Sequence, residues 1–265
     1  MVSEMTADTA ARPAPRTVTA AVLVIGNEIL SGRTRDANLN YLAVGLTEIG
    51  IRLMEARVVP EIEPRIIAAV NELRATYDHV FTTGGIGPTH DDITADCISK
   101  AFGVALRRDE RAVDLLTRHY GGPEHLTDAR LRMAHVPDGA ILIDNPVSAA
   151  PGFQIGNVYV LAGVPRICQA MFDGLKGRLV GGDKVLSLTV SAHIGEGVIA
   201  HDLGLLQQRY TDLDIGSYPY FRQGRYGASF VLRGTNRERL DAAAQELRVI
   251  IRKLGADPLD GEPLE

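Results

Sequence analysis

The order of apolar segments predicts an α/β protein with a mostly parallel sheet, followed by a small α+β module. Three observations carry this. Residues 18–26 form a continuous apolar run closed by glycine, the pattern of a strand buried on both faces. Apolar runs then alternate with amphipathic stretches as far as residue 179, the signature of strands connected by helices. Beyond residues 180–183 (Val-Gly-Gly-Asp) the order changes to βαββα, as a separate unit would show.

Each element has its own justification. Residues 1–16 are small, polar and Pro-containing, and read as a disordered tail with no apolar core of a signal sequence. After the first strand, residues 38–49 place Leu39, Leu42, Ala43, Leu46 and Ile49 on one helical stripe that Gly50 ends. Residues 51–59 are a second strand. Residues 64–76 form an amphipathic helix through Ile66, Ile67, Val70 and Leu73, with Pro64 suited to its first turn. A third strand over 78–83 runs into a Gly-rich turn and a helix over 92–102. Helical stretches at 109–120 and 124–134 precede β segments at 140–143, 152–155 and 158–162, and a helix over 165–179 closes the first domain, 17–180. The stretch 180–183 reads as a hinge. The second domain, 183–255, comprises strands at 185–192, 214–220 and 227–233 and helices at 197–209 and 236–254. Thr235 with Glu238 three residues later has the spacing of a capping box, and Gly255 is placed to stop the last helix. Residues 256–265 read as a frayed tail.

Composition excludes several function classes. The 265 residues are 45% hydrophobic and 23% charged, with 28 Lys+Arg against 33 Asp+Glu and a net charge of −5, a globular profile without the basic face that nucleic-acid binding requires. The longest apolar stretch is too short to span a bilayer. Cys97 and Cys168 are the only cysteines, which removes a disulfide framework and a cysteine-built zinc site; both fall in helical patterns and read as buried, inert thiols. A cytoplasmic protein is expected.

In an open parallel sheet, ligands bind beyond the carboxyl ends of the strands. Two strands here end in loops rich in glycine and polar side chains: residues 26–32 (Gly-Asn-Glu-Ile-Leu-Ser-Gly) and 82–92 (Thr-Thr-Gly-Gly-Ile-Gly-Pro-Thr-His-Asp-Asp). Gly84, Gly85 and Gly87 let the backbone approach a ligand with its N–H groups turned inward, a seat for phosphate. Neither loop is a P-loop or a dinucleotide fingerprint: Gly26 and Gly32 are followed by Arg33 rather than Lys, and the position three after Gly87 is His90. Asp91 and Asp92 could simply cap a helix. Two adjacent acids beside a phosphate loop would repel the phosphate unless a cation intervened, and Mg²⁺ suits such a place because it takes one or two carboxylates and bridges phosphates. Glu28, Asp36 and Glu61 follow other strands and could converge there. His90 reads as a surface residue, and no histidine spacing suits zinc. No nucleophile elbow is present.

Taken together, residues 25–32, Asp36 and Asn38, and residues 82–92 with Thr94 resemble the molybdopterin-binding fold of the MoaB/Mog group. The similarity extends to its CinA (competence/damage-inducible protein) branch and to the N-terminal domain of eukaryotic FAD synthase. Residues 145–153 and 161–165 match further family segments, and residues 195–219 resemble the small KH-like module that follows in CinA. The resemblance implies a three-layer α/β/α domain holding a phosphorylated pterin or nucleotide. Carried over residue by residue, the ligand set from the first loop and its sequel is Asn27, Glu28, Ser31, Gly32, Asp36 and Asn38. The second loop adds Thr83, Gly84, Gly85, Gly87, Pro88 and Thr89, and the later segments add Asn145, Ser148, Gly152, Gly163 and Pro165.

In Mog-type members a pair of acids works with Mg²⁺; the matching positions are Asp92 and Glu61, with Asp91 as a further metal ligand. The CinA-like branch implies cleavage of the diphosphate of ADP-ribose or FAD by a water activated on a divalent metal, Mg²⁺ or else Mn²⁺ or Co²⁺. Two positions depart from the pattern: Glu61 stands where Asp is usual, and Ala162 where the loop usually reads Pro-Gly-x-Pro. The alternatives are molybdopterin binding or adenylylation in molybdenum cofactor biosynthesis, and a nucleotide sensor without turnover. The amidase of CinA and the adenylyltransferase of FAD synthase are not expected. Family behaviour implies a homo-oligomer. RNA is not expected as a partner, because Gly195-Glu196-Gly197 is acidic where a KH clamp would be basic.

Overall fold

The computed structural model describes residues 17–222 and 224–262. The tail read over 1–16 lies outside the described residues. The chain divides into two compact units between Asp183 and Lys184.

The first unit runs β1 (Val18–Ile25), α1 (Asn27–Leu30), α2 (Asn38–Glu48), β2 (Ile51–Val59), α3 (Glu63–Thr76), β3 (His79–Thr83), α4 (Thr94–Phe102), β4 (Leu106–Arg108), α5 (Glu110–Tyr120), α6 (Asp128–Arg132), β5 (His135–Pro137), β6 (Ile141–Ile143), β7 (Gly152–Ile155), β8 (Val158–Leu161) and α7 (Pro165–Lys176). Its six-stranded sheet has the order β2-β1-β3-β8-β7-β6. The first four strands are parallel, and β7 and β6 are added antiparallel.

The period of two along β1 sorts its side chains between two layers of helices. Ala21, Leu23 and Ile25 pack with Ile66 and Val70 of α3 and Ile98 of α4. Ala20, Val22 and Val24 pack with Leu42 and Leu46 of α2 and Phe172 of α7. That is the three-layer α/β/α arrangement, and it explains why the β1 run carries no polar residue beyond Thr19.

Several details differ from the sequence expectation. Residues 27–30, read as loop, form the short helix α1. The stretch 124–134 is not one helix but a 3₁₀ turn at Pro123–His125 followed by α6. The two three-residue strands β4 and β5 pair as a separate ribbon that periodicity could not reveal. The segment 180–183 is tied to the first unit: Gly182 N–H donates to Gly50 O at 3.2 Å, and His79 Nε2 lies 3.3 Å from Val180 O.

The second unit contains β9 (Leu186–Ala192), α8 (Glu196–Arg209), β10 (Asp214–Arg222), β11 (Arg225–Gly234), α9 (Arg237–Lys253) and β12 (Leu259–Asp260). The sheet order is β10-β11-β9-β12, antiparallel throughout. Its core joins Val190, Phe230 and Leu232 to Leu206 of α8 and Leu240 and Leu247 of α9. The cap of α9 is Asn236, whose Oδ1 accepts from Arg239 N at 3.2 Å, rather than Thr235. Leu259 and Asp260, read as part of a tail, instead pair with Ser191 and Val190.

Candidate functional site

β1 is flanked by β2 on one side and by β3 on the other, so the chain reverses its direction of travel across the sheet at β1. A crevice opens beyond the carboxyl ends at such a switch point. The loops that follow β1 and β3 meet there. Gly84 adopts φ +101°, and a Cβ on it would lie 2.1 Å from Ile25 O. Gly85, at φ +67°, lies against Thr94, the first residue of α4. Thr94 closes the loop from both sides: its Oγ1 donates to Gly84 O at 3.0 Å and its N–H to Gly85 O at 3.0 Å. Held this way, the loop leaves the N–H groups of Gly85, Ile86 and Gly87 with no protein acceptor among the described residues.

These three residues line a cavity of about 480 Å³ together with Glu28, Glu61 and Asp92. Volumes of this order suit a small-molecule ligand. Asn145 and Ser148 stand at its far wall. Asn145 spends its polar groups on its own loop, accepting from Val147 N and Ser148 N and donating to Ala150 O and Ser148 Oγ. Its role is to shape that wall. Gly163 and Pro165, beyond β8, complete the cavity, and Gly163 also packs against Gly84.

The acids converge from three loops. Thr89 Oγ1 lies 2.5 Å from Asp91 Oδ1 and 2.5 Å from Asp92 Oδ2, and Thr89 N–H donates to Asp92 Oδ2 at 2.7 Å. A hydroxyl has one proton to give, so two carboxylates compete for it. The Thr89 hydroxyl holds the Asp91 carboxyl below its usual range, aided by the charges of His90 and Arg132. Glu61 is fixed from across the cavity, its Oε2 accepting from Asn27 Nδ2 at 2.7 Å. Its carboxyl is pushed above the usual value, first by partial burial and then by the like charges of Asp91, Glu28 and Asp92.

Among the described residues, no three His, Cys, Asp or Glu side chains are gathered to ligate one ion. The expected trio Asp91, Asp92 and Glu61 is therefore not a ready-made ligand set: the first two face Thr89 and the third faces Asn27. Mg²⁺ needs only one or two carboxylates when water and phosphate oxygens supply the rest, and this donor set fits that mode.

A smaller cavity, about 40 Å³, adjoins the main one and is lined by Asp36, Asn38 and Thr83. Asp36 Oδ2 accepts from Leu39 N at the start of α2. Asn38 Nδ2 donates to Gly163 O at 2.8 Å, leaving the buried Oδ1 unpartnered, as is the buried Thr83 Oγ1. Buried acceptors and hydroxyls without partners are costly, so this corner is suited to a donor from water or ligand.

Five expected ligand residues line neither cavity: Asn27 and Thr89 act through the acids they hold, and Ser31, Gly32 and Gly152 do not. Ser31 and Gly32 are exposed at the end of α1, where Ser31 Oγ donates to Glu28 O. Gly152 is buried in β7, where a Cβ would meet Val160 O at 2.2 Å and Met171 Cε at 2.4 Å, so its glycine serves packing. Conversely, Thr34 and Met133 line the main cavity, and Arg132 lines a second cavity on the other side of the glycine loop, without having been singled out. An isolated Arg at the end of a short helix gives no pattern to read. The two thiols are buried, and burial pushes Cys97 and Cys168 up to about 12, which leaves them without nucleophilic character. No helix among the described residues is long and apolar enough to cross a membrane.

Comparison with known proteins identifies the family of the chain. Residues 21–180 match the family described as the probable molybdopterin binding domain, and residues 184–256 match the FAD synthase middle domain. A protein of Pyrobaculum calidifontis is 39% identical over 161 residues, covering 59% of this chain and 62% of its own. A probable FAD synthase of Caenorhabditis elegans is 31% identical over 262 residues, covering 89% of this chain and 50% of its own. The chain thus spans less than two thirds of these relatives. The crystal structure of the protein CinA, of unknown function, from Thermoplasma acidophilum superposes with a TM-score of 0.58 at 35% identity, over 61% of this chain and 98% of that one. The matched residues include β1 from Ala21 onward, the glycine loop after β3 and the acids around it, and the chain belongs to the molybdopterin-binding-domain family, with CinA and FAD synthase-like proteins among its relatives.

Proposed function

We propose that the first unit is a divalent-metal-dependent pyrophosphatase that cleaves the diphosphate of ADP-ribose or FAD. One observation carries the reading: three unsatisfied backbone N–H groups and a set of competing carboxylates share a single cavity. The N–H groups of Gly85, Ile86 and Gly87 suit phosphate oxygens, and Asp92 with Glu61 suits a cation. Either feature alone would repel or ignore what the other attracts. A diphosphate that brings a divalent cation with it would satisfy both.

In this reading Asp92 and Glu61 hold the cation, with Asp91 beside them, and the bound ion supplies Lewis acidity at the phosphoryl oxygens. Thr89 orients Asp91 and Asp92, and Asn27 orients Glu61. The glycine-loop N–H groups take up the charge that grows on the oxygens of the attacked phosphorus. One water adds across the P–O–P bridge, one phosphorus gaining a hydroxyl and the bridging oxygen leaving with the other.

The test is chromatography of products after incubation with ADP-ribose and with FAD, in Mg²⁺, Mn²⁺ or Co²⁺ and in chelator. AMP plus ribose phosphate, or AMP plus FMN, formed only with metal, is the expected result. Absence of cleavage by folded protein would overturn it. The second reading, binding or adenylylation of molybdopterin, uses the same cavity and is favoured by the description of the matched family. Titration with molybdopterin tests it directly. A sensor would bind nucleotide and turn over nothing.

A further inference from the structure

The cavity described above is one of two that share the glycine loop. A second, of about 410 Å³, is also lined by Gly85, Ile86, Gly87, Asp92 and Met133. The loop and Asp92 are therefore the common wall of two neighbouring lobes, each large enough for one half of a dinucleotide-sized molecule. Their chemistry differs. The first lobe offers the small uncharged residues Ala150, Ala162 and Gly163 in addition to its acids. The second offers Arg132 and His135 beside Phe153, and its own acid, Asp96, is paired with Lys100.

Arg132 stands out among the charged residues here. It is exposed at the end of α6, and its guanidinium makes no hydrogen bond or ion pair among the described residues. Its charge reaches Asp91. A guanidinium presents a fork of donors matched to phosphate oxygens, and one placed beside the N–H groups of the loop would hold a phosphate from the opposite side. His135 Nδ1 lies 3.0 Å from Leu131 O, which leaves its other ring nitrogen for a ligand hydroxyl.

We infer that Arg132 is a substrate-binding residue and that the two lobes together select a diphosphate substituted at both ends, with a sugar phosphate in the Arg132 lobe and the nucleoside in the other. The inference rests on the pyrophosphatase reading for the diphosphate, and adds to it a binding residue, Arg132, and the lobe that receives each half. A mononucleotide fills one lobe only.

The experiment is calorimetric titration of the full chain, wild type and Arg132→Gln, with Mg²⁺ and three probes: the non-cleavable α,β-methylene analogue of ADP-ribose, AMP and ribose 5-phosphate. Wild type is expected to bind the analogue at least tenfold more tightly than AMP. Arg132→Gln should lose about tenfold for the analogue and for ribose 5-phosphate and keep its affinity for AMP, while Arg132→Lys recovers part of the loss. Equal binding by wild type and Arg132→Gln, equal losses for AMP and ribose 5-phosphate, or no preference of wild type for the analogue would each overturn the inference. Cleavage of ADP-ribose or FAD by wild type is scored separately. Cleavage with an indifferent Arg132→Gln leaves the pyrophosphatase reading standing without this inference, and selective loss of binding without cleavage does the reverse.

Discussion

The Asp92 carboxylate lies where a Cβ on Gly87 would come within 2.7 Å of Oδ2, so it occupies room that only a glycine leaves. Gly87 is not among the residues with positive φ, so an alanine there meets the carboxylate rather than backbone strain. Gly87→Ala is expected to displace Asp92 and lower kcat for diphosphate cleavage by about 10–100-fold, the scale of a misplacement near 1 Å. Its melting temperature should stay close to wild type. Steady-state kinetics with thermal denaturation checks both.

Asp92→Asn keeps the shape of the side chain and its place beside Thr89 but removes the charge. Turnover is expected to fall by about 10²–10³-fold, the range seen when one electrostatic contact to a transition state is lost. The fold should persist, because Asp92 lies outside the buried apolar clusters of the first unit. An active Asp92→Asn protein would remove Asp92 from the mechanism. Glu61→Asp, which gives the residue that the family resemblance implies here, is expected to preserve or raise activity, and loss of turnover would show that the longer Glu61, held by Asn27 at 2.7 Å, is needed at this position.

Glu61 also gives the site a pH signature. Its folded pKa is raised above the ordinary value of 4.5, so between the two values the native state holds more protons than the unfolded chain. Stability contributed by this group is present below 4.5 and is lost as pH rises through the folded value. In chelator, Glu61→Gln is therefore expected to melt higher than wild type near pH 7, with the gap closing as pH falls below 4.5. Adding Mg²⁺ should stabilise wild type more than the variant. Melting temperatures against pH, with and without metal, test both statements.

How much of this was legible in the chain follows from which forces leave a local trace. The β1 run, the stripe of Leu42 and Leu46, and Gly50 at φ +76° are set by burial and by backbone sterics at single positions, and sequence shows both. The glycine loop was legible for the same reason. The ribbon of β4 and β5 was not, because three-residue strands are too short to show a period. Nor was the division of labour among the site residues. Asn145 and Gly152 belong to motifs that suggested ligand contact, yet one satisfies its own loop and the other makes room for Val160 O and Met171. Arg132 reaches the loop only through the tertiary path of α6.

The close approach of Gly84 to Ile25 O makes a prediction about stability rather than chemistry. Its φ of +101° is one that side chains rarely adopt, and the atom a Cβ would meet at 2.1 Å is backbone, which cannot rotate away. Gly84→Ala should cost about 2–4 kcal/mol, combining backbone strain with the displacement of β3 from β1. Gly174→Ala, where nothing lies within 4 Å and the residue is helical, should be neutral or slightly stabilising. Denaturant unfolding of the two variants checks the contrast.

The second unit offers a separate test at its C-terminal strand. Leu259 and Asp260 pair with β9, Gly261 N–H donates to Thr189 O at 3.0 Å, and Ser191 Oγ donates to Gly261 O at 2.6 Å. Arg248 Nη2 adds a contact to Asp260 Oδ1 at 2.6 Å, but Asp260 is exposed, so this pair contributes little. The buried Ser191 hydroxyl matters more, since truncation after Pro258 leaves it only Ser229 Oγ at 2.9 Å as a partner. Losing the edge pairing and that acceptor should cost about 1–3 kcal/mol. The loss should appear as faster hydrogen exchange at the Thr189 and Ser191 amides of β9, with the amides of β1 unchanged. If these residues were a frayed tail, truncation would leave exchange in β9 as it was. If the strand is formed, protection falls first at the β9 edge, where β12 had covered it.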